Sequence, residues 1–180
     1  MKHLFSLIVI ISILSCKQSA NDKTQQGHSL STIDSLKNNF TVTVDAIITK
    51  DDTFNLMYQT EKKPLWTTNS LLKKKVVGSK AIQKITFVLP KDTFPTKFRI
   101  DLGQNRQQKF IDLYKMIFSY QHQELEIKEN LISKRFVTNK YAQYFGDGTK
   151  ADIILSVVDN NYNPLIIATN YFMEVLNNKL

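Results

Sequence analysis

"FTVTVDAIITKDDTFNLMYQT", residues 40–60, is the stretch on which the fold class turns. Phe40, Val42, Val44, Ala46 and Ile48 alternate with Thr41, Thr43, Asp45 and Ile47, which puts one apolar row on one face of an extended strand. The polar run Lys50-Asp51-Asp52 breaks the alternation, and Phe54, Leu56 and Tyr58 resume it. Two strands around a short polar break predict a hairpin that turns near Lys50 to Thr53.

The same period of two recurs along the chain. It returns in Ile85-Phe87-Leu89, in Phe98-Ile100-Leu102, and from Ile111 and Leu113 on to Ile117. Near the end, "ADIILSVV" (151–158) and "PLIIAT" (164–169) flank "DNNYN" (159–163). The short side chains of that cluster bond to their own backbone and tolerate left-handed geometry, so it predicts a turn and a second hairpin. The tail "NYFMEVLNNKL" (170–180) fits a final edge strand or a short helix. Eight or nine short strands, with no long amphipathic helix between them and no internal repeat, predict an all-β fold over residues 38–180. The expected architecture is an antiparallel β-sandwich of jelly-roll or galactose-binding-like type, with the rows of Phe40, Phe54, Ile85, Phe98 and Ile153 meeting in its core.

Upstream, Lys2 and His3 precede an apolar run from Leu4 to Leu14, followed by Ser15 and Cys16. That layout is a signal peptide, and the run falls short of the roughly 20 residues a spanning helix needs. Ile13-Leu14-Ser15-Cys16 resembles the bacterial lipobox, which implies cleavage after residue 15, a diacylglycerol on the Cys16 sulfur and usually an acyl chain on its freed amine. Several buried chains make such an anchor stable, since each buried methylene contributes about 0.8 kcal/mol. Cys16 is the only cysteine, so the exported domain has none left for a disulfide. Residues 17–37 are polar, with Leu30, Ile33 and Leu36 as their only large apolar residues, and read as a tether. A helical turn over 31–37 would take Ser31 or Thr32 as its cap. The expected address is the bacterial envelope, at the outer membrane.

The formal charge is +8, of which cleavage removes only Lys2. Apart from Lys73-Lys74-Lys75 the basic residues are dispersed, which suits a soluble surface near an anionic envelope better than nucleic-acid binding. Catalysis has little to build on. His3 is cleaved off, His28 lies in the tether, and His122 sits in "YQHQELE", which reads as a solvated strand end or turn. One domain histidine and no cysteine supply too few nitrogen and sulfur ligands for zinc, and the serines lie in no G-x-S-x-G setting. Asp51, Asp52, Asp92, Asp101, Asp112 and Glu124 offer carboxylates for glycoside hydrolysis, but any soluble domain offers as many.

Asp159, Asn161 and Asn163 match the start of an EF-hand loop. Pro164 then replaces its glycine, and Asn170 its glutamate. Asp51-Asp52 and the Gly146-Asp147-Gly148 turn could serve calcium only from loops, where carboxylates facing water are the simpler reading. No metal, cofactor or enzymatic activity is expected.

Sugar binding asks less: an aromatic ring to lie against a pyranose, with polar groups to fix its hydroxyls. Trp66, the only tryptophan, lies in the polar segment "KKPLWTTNS", either as such a platform or, more commonly for a large aromatic, folded back as a lid on the core. Tyr58 belongs to a core row. Arg99 and Asp101 alternate with Phe98 and Ile100 and so share the opposite face, where pairing with each other is the expected outcome and ligand binding the alternative. The candidate ligand contacts are Trp66, Arg99, Asp101, Asp51 and Asp52.

"KDDTFNLMYQT", "VVGSKAIQKITFVLP" and "PTKFRIDLGQN" together resemble a β-sandwich domain of Bacteroidota envelope proteins that is also attached to some of their membrane glycosyltransferases. The shared features are Asp51, Asp52, Phe54 and Tyr58; Gly78 and Ser79; Leu89 and Pro90; and Arg99, Asp101 and Gly103. The resemblance spans about residues 38–120 and implies a carbohydrate-binding-like sandwich working at glycan or envelope surfaces. The 180 residues contain no glycosyltransferase part. Three functional classes follow as expectations: a glycan-binding or accessory module, a structural or protein-interaction lipoprotein of the envelope, and, last, a hydrolase of envelope polymer.

Overall fold

The computed structural model describes residues 37–146 and 151–180. The expected signal peptide, Cys16, the expected tether through residue 36 and the Asp147-Gly148 part of the expected glycine turn lie outside the described residues.

Eleven strands and two α-helices, with one short 3-10 helix at Thr68–Ser70, follow one another among the described residues. They are β1 Thr41–Ile48, β2 Asp52–Gln59, β3 Leu71–Val76, β4 Ser79–Val88, β5 Lys97–Asp101, β6 Phe110–Tyr120 and β7 Gln123–Lys128, then helix α1 Glu129–Arg135. After these come β8 Phe136–Thr138, β9 Ala142–Tyr144, β10 Ala151–Leu155, β11 Leu165–Ala168 and helix α2 Asn170–Lys179. One sheet has the order β4-β1-β6-β10-β9 with β7 also paired to β6, and the other has the order β3-β2-β5-β11-β8. All these strand pairs are antiparallel. The fold is an all-β, antiparallel sandwich.

The apolar rows meet between the sheets as the alternation requires. Phe40, Phe54, Ile85, Phe98 and Ile153 are all buried. Rings fill the centre: Phe98 packs on Phe118 and Phe136, and Phe172 meets Phe118 edge-on with centroids 5.1 Å apart. Such edge contacts add about 0.5–1.5 kcal/mol beyond the area they bury. Phe172 comes from α2, which settles the tail as a helix. Thr169 caps it by accepting the Phe172 N–H at 3.2 Å, and Phe172, Met173 and Leu176 form its buried stripe.

Neither predicted hairpin forms. β1 pairs with β4 and β6 in one sheet, whereas β2 pairs with β3 and β5 in the other. The break at Lys50-Asp51 is therefore a corner between sheets. β10 and β11 likewise lie in different sheets. The turn between them is real, with Asp159 and Asn160 at φ 49° and 57° and Val158 bridged to Asn161. A polar break reverses the chain equally well within a sheet or between two, and the buried rows face the core in both cases. A true hairpin joins β6 to β7 through Gln121 and His122, at φ 48° and 68°, so His122 is an exposed turn residue.

Ile117 departs from the row assigned to it. Asp45 pairs with Lys115 but Ala46 with Leu113, leaving Tyr114 as an extra residue in β6. That bulge reverses the alternation, so Met116 and Phe118 point into the core and Ile117 does not.

Candidate functional site

Three of the five candidate contacts come together. Arg99 and Asp101 project from the outward face of β5, opposite the buried Phe98 and Ile100. The Arg99 Nε lies 3.0 Å from Asp101 Oδ1, which is the pairing expected from their shared face. An Arg99 terminal nitrogen also donates to Met57 Sδ at 3.0 Å, and the guanidinium sits 5.3 Å from the centre of the Trp66 ring. Trp66 is thus no lid on the core. It is partly exposed and held over the outer surface of the sheet, because a cation beneath an aromatic face attracts it there. Burial raises the Asp101 pKa above the ordinary carboxylate value, with Arg99 and Asn55 working in the opposite direction.

Asp51 and Asp52 lie elsewhere, at the sheet end where β2 begins, and backbone amides occupy their carboxylates. Asp51 Oδ1 accepts the Gly78 N–H at 2.7 Å. Asp52 Oδ1 accepts from Thr53 and Gln104 at 2.7 and 2.8 Å, and its Oδ2 accepts from Asn105 at 3.0 Å. These carboxylates hold the corner between sheets instead of simply facing water. Buried Gln108 completes the fastening, accepting the Lys50 N–H at 2.8 Å on its side-chain oxygen and donating to the Phe110 carbonyl. Asp159, from the EF-hand-like stretch, pairs with Lys140 at 3.4 Å.

The opposite end of the sandwich is open. A cleft of about 800 Å³ lies between the turn at 60–63, the loop at 90–96 and one side of α2. Tyr58, Phe94 and Met173 make its apolar floor, and Glu61, Asp92, Glu174 and Asn177 stand on its exposed rim. Phe94 is fixed in place by edge-on contacts with Phe40 and Tyr120, at 5.1 and 5.4 Å between centroids. Asp92 adopts φ 56°, a left-handed conformation that aspartate tolerates better than most residues, and its N–H donates to the Asn38 carbonyl at 2.7 Å. An apolar, aromatic floor with a few convergent polar groups is the ordinary form of a small-molecule site, and the volume falls within the usual range.

Sequence reasoning did not find this cleft. Its walls come from segments some 30 and 80 residues apart in the chain, and the only hint was Pro90 and Pro95 around an aromatic residue. Comparison with family models, with curated proteins and with solved structures finds no match to this chain.

Proposed function

We propose that the chain is an envelope lipoprotein, anchored through a lipidated Cys16, whose β-sandwich is a non-catalytic glycan-binding module. The observation that carries the binding half is the end cleft: a rigid, partly exposed aromatic ring on its floor, ringed by carboxylates, amines, hydroxyls and an amide. A pyranose presents one apolar face and a belt of hydroxyls, and this surface offers both complements. The envelope half rests on the signal-peptide layout and on the lipobox-like Ile13-Leu14-Ser15-Cys16.

Glycan-array binding of the purified chain tests the first half. Asn177→Ala and Glu174→Gln, both on the exposed rim, should weaken any binding observed; no glycan bound, or binding untouched by both changes, refutes the cleft. Cys16→Ser tests the second half, since it should leave unprocessed precursor and abolish lipid labelling. Unchanged labelling refutes the anchor.

A second reading has one observation in its favour. Across the outer face of the second sheet, Leu71, Met57, Ile167 and Val137 fall in one register row with Arg99, and Val137 is 53% exposed. A module that docks on an envelope protein through this face would bind no glycan.

A further inference from the structure

We propose that the end cleft and the Trp66 surface are two subsites for one ligand, a linear and uncharged polysaccharide. This rests on the glycan reading of the cleft and adds the form of the glycan.

The two places are joined by continuous structure. Thr96 lines the cleft, and its N–H donates to the Gln59 carbonyl at 2.9 Å. From there β5 carries Lys97 and Arg99 outward on one face, with Gln59 and Met57 directly opposite them on β2. Arg99 lies three residue steps beyond Thr96, about 10 Å along an extended strand. A second connection runs through the segment after β2. Glu61, Lys62 and Lys63 line the cleft, closed into a tight turn by reciprocal Thr60–Lys63 backbone bonds of 3.1 and 3.0 Å, and Trp66 follows three residues later over Arg99.

The result is two aromatic stations, Phe94 in the cleft and Trp66 on the sheet, with the polar pair Gln59 and Lys97 between them. One sugar ring cannot touch both. A chain of sugars can, stacking at each station and offering hydroxyls to the groups between. Trp66 is already held by Arg99, and Arg99 by Asp101 and Met57, so little freedom is lost when a sugar stacks there. Charge selects the ligand further. Glu61, Asp92 and Glu174 match Lys62, Lys63 and Lys97 in number along this path, and Arg99 is paired with Asp101, so the path itself presents no net charge to favour a polyanion or a polycation.

Calorimetry on the purified full-length chain, with size series of neutral linear oligosaccharides and of uronic-acid oligosaccharides, tests the proposal. Affinity should rise about tenfold once the neutral oligosaccharide is long enough to reach Trp66, the factor one stacking contact supplies. Trp66→Ala should abolish that rise and leave disaccharide binding unchanged, and Trp66→Phe should restore most of it. Disaccharide binding with no gain on lengthening, or a gain that survives Trp66→Ala, overturns the two-subsite arrangement and leaves the cleft standing. Stronger binding of the uronic-acid series overturns the neutral class. Binding of no oligosaccharide of either kind removes the cleft reading and this inference together.

Discussion

Asn105 is joined to the Asp51-Asp52 corner twice: its backbone N–H donates to Asp52 Oδ2 and its side-chain amide donates to the Asp51 carbonyl, each at 3.0 Å. The loop after β5 is thereby clamped to the start of β2. Asp52→Ala removes three charge-assisted bonds and leaves two loop amides and the Thr53 N–H without their partner. A loss of about 2 kcal/mol is expected in urea unfolding. Asp51→Ala, which loses one exposed bond, should cost about 0.5 kcal/mol. Neither change should alter the glycan affinity proposed for the end cleft.

Gly103 sits beside this clamp at φ 97°, and a Cβ there would collide with the Asp52 carboxylate. Gly103→Ala should therefore cost more than the roughly 1 kcal/mol typical of a left-handed glycine position. Combined with Asp52→Ala it should cost less than the sum of the two single changes, because the clash is then gone. Thermal unfolding of the two single variants and the double variant checks both statements.

Asp101 titrates above its ordinary value of 3.8 because burial disfavours the carboxylate more than Arg99 favours it. A raised carboxylate contributes stability that is fully present below the unfolded value and is lost as pH rises through the folded one. Arg99→Gln removes an influence that lowers the value, so Asp101 should titrate higher still. Carbon NMR titration of the Asp101 carboxyl reads this directly, and a downward shift in the variant would contradict it.

Tyr162 is pushed up to about 12 by burial first and by the Asp52 charge second. Its neutral phenol donates to the Gln108 carbonyl at 3.2 Å, and the stability tied to that state is lost as pH rises through the folded value. Asp52→Asn should move the phenol back toward 10. Ultraviolet difference titration of phenolate formation, compared between wild type and variant, measures the shift.

The C-terminal helix is part of the core. Phe172→Ala should cost about 3–5 kcal/mol, as for other fully buried phenylalanines, and Thr169→Ala about 1 kcal/mol through the lost cap. Because Met173, Glu174 and Asn177 line the cleft from this helix, Phe172→Ala should also weaken the glycan binding proposed for that cleft.

What could be read from the residues was what depends on neighbours in sequence. Alternation placed Phe40, Phe54 and Phe98 in the core, and the short polar side chains at 159–163 foretold the turn. Arg99 and Asp101, two apart on one strand, had to share a face. Strand partners were not legible, because Val42 meets Phe87 and Phe118 through long-range closure that no local pattern records. The same holds for Tyr114, whose bulge is a property of a pair of strands. Trp66 was left between an exposed platform and a lid for a related reason: the cation that holds it on the outer face lies 33 residues further along the chain. The helix at 170–179 was legible in part, since Thr169 stands at its cap and Phe172, Met173 and Leu176 have helical spacing, but the aromatic and β-branched residues there suit a strand as well.

The crossing of the chain between sheets has a consequence for the speed of folding. Thr41 bonds to Ser119 across 78 residues, and β1 has no partner until β4 and β6 have been made. Apart from the turn at Gln121 and His122, few local pairings are available to start from. Domains dominated by such distant pairings fold in milliseconds to seconds, orders of magnitude slower than helical bundles. A chain that delays its own closure in this way stays threadable for longer, which would suit the export proposed for it.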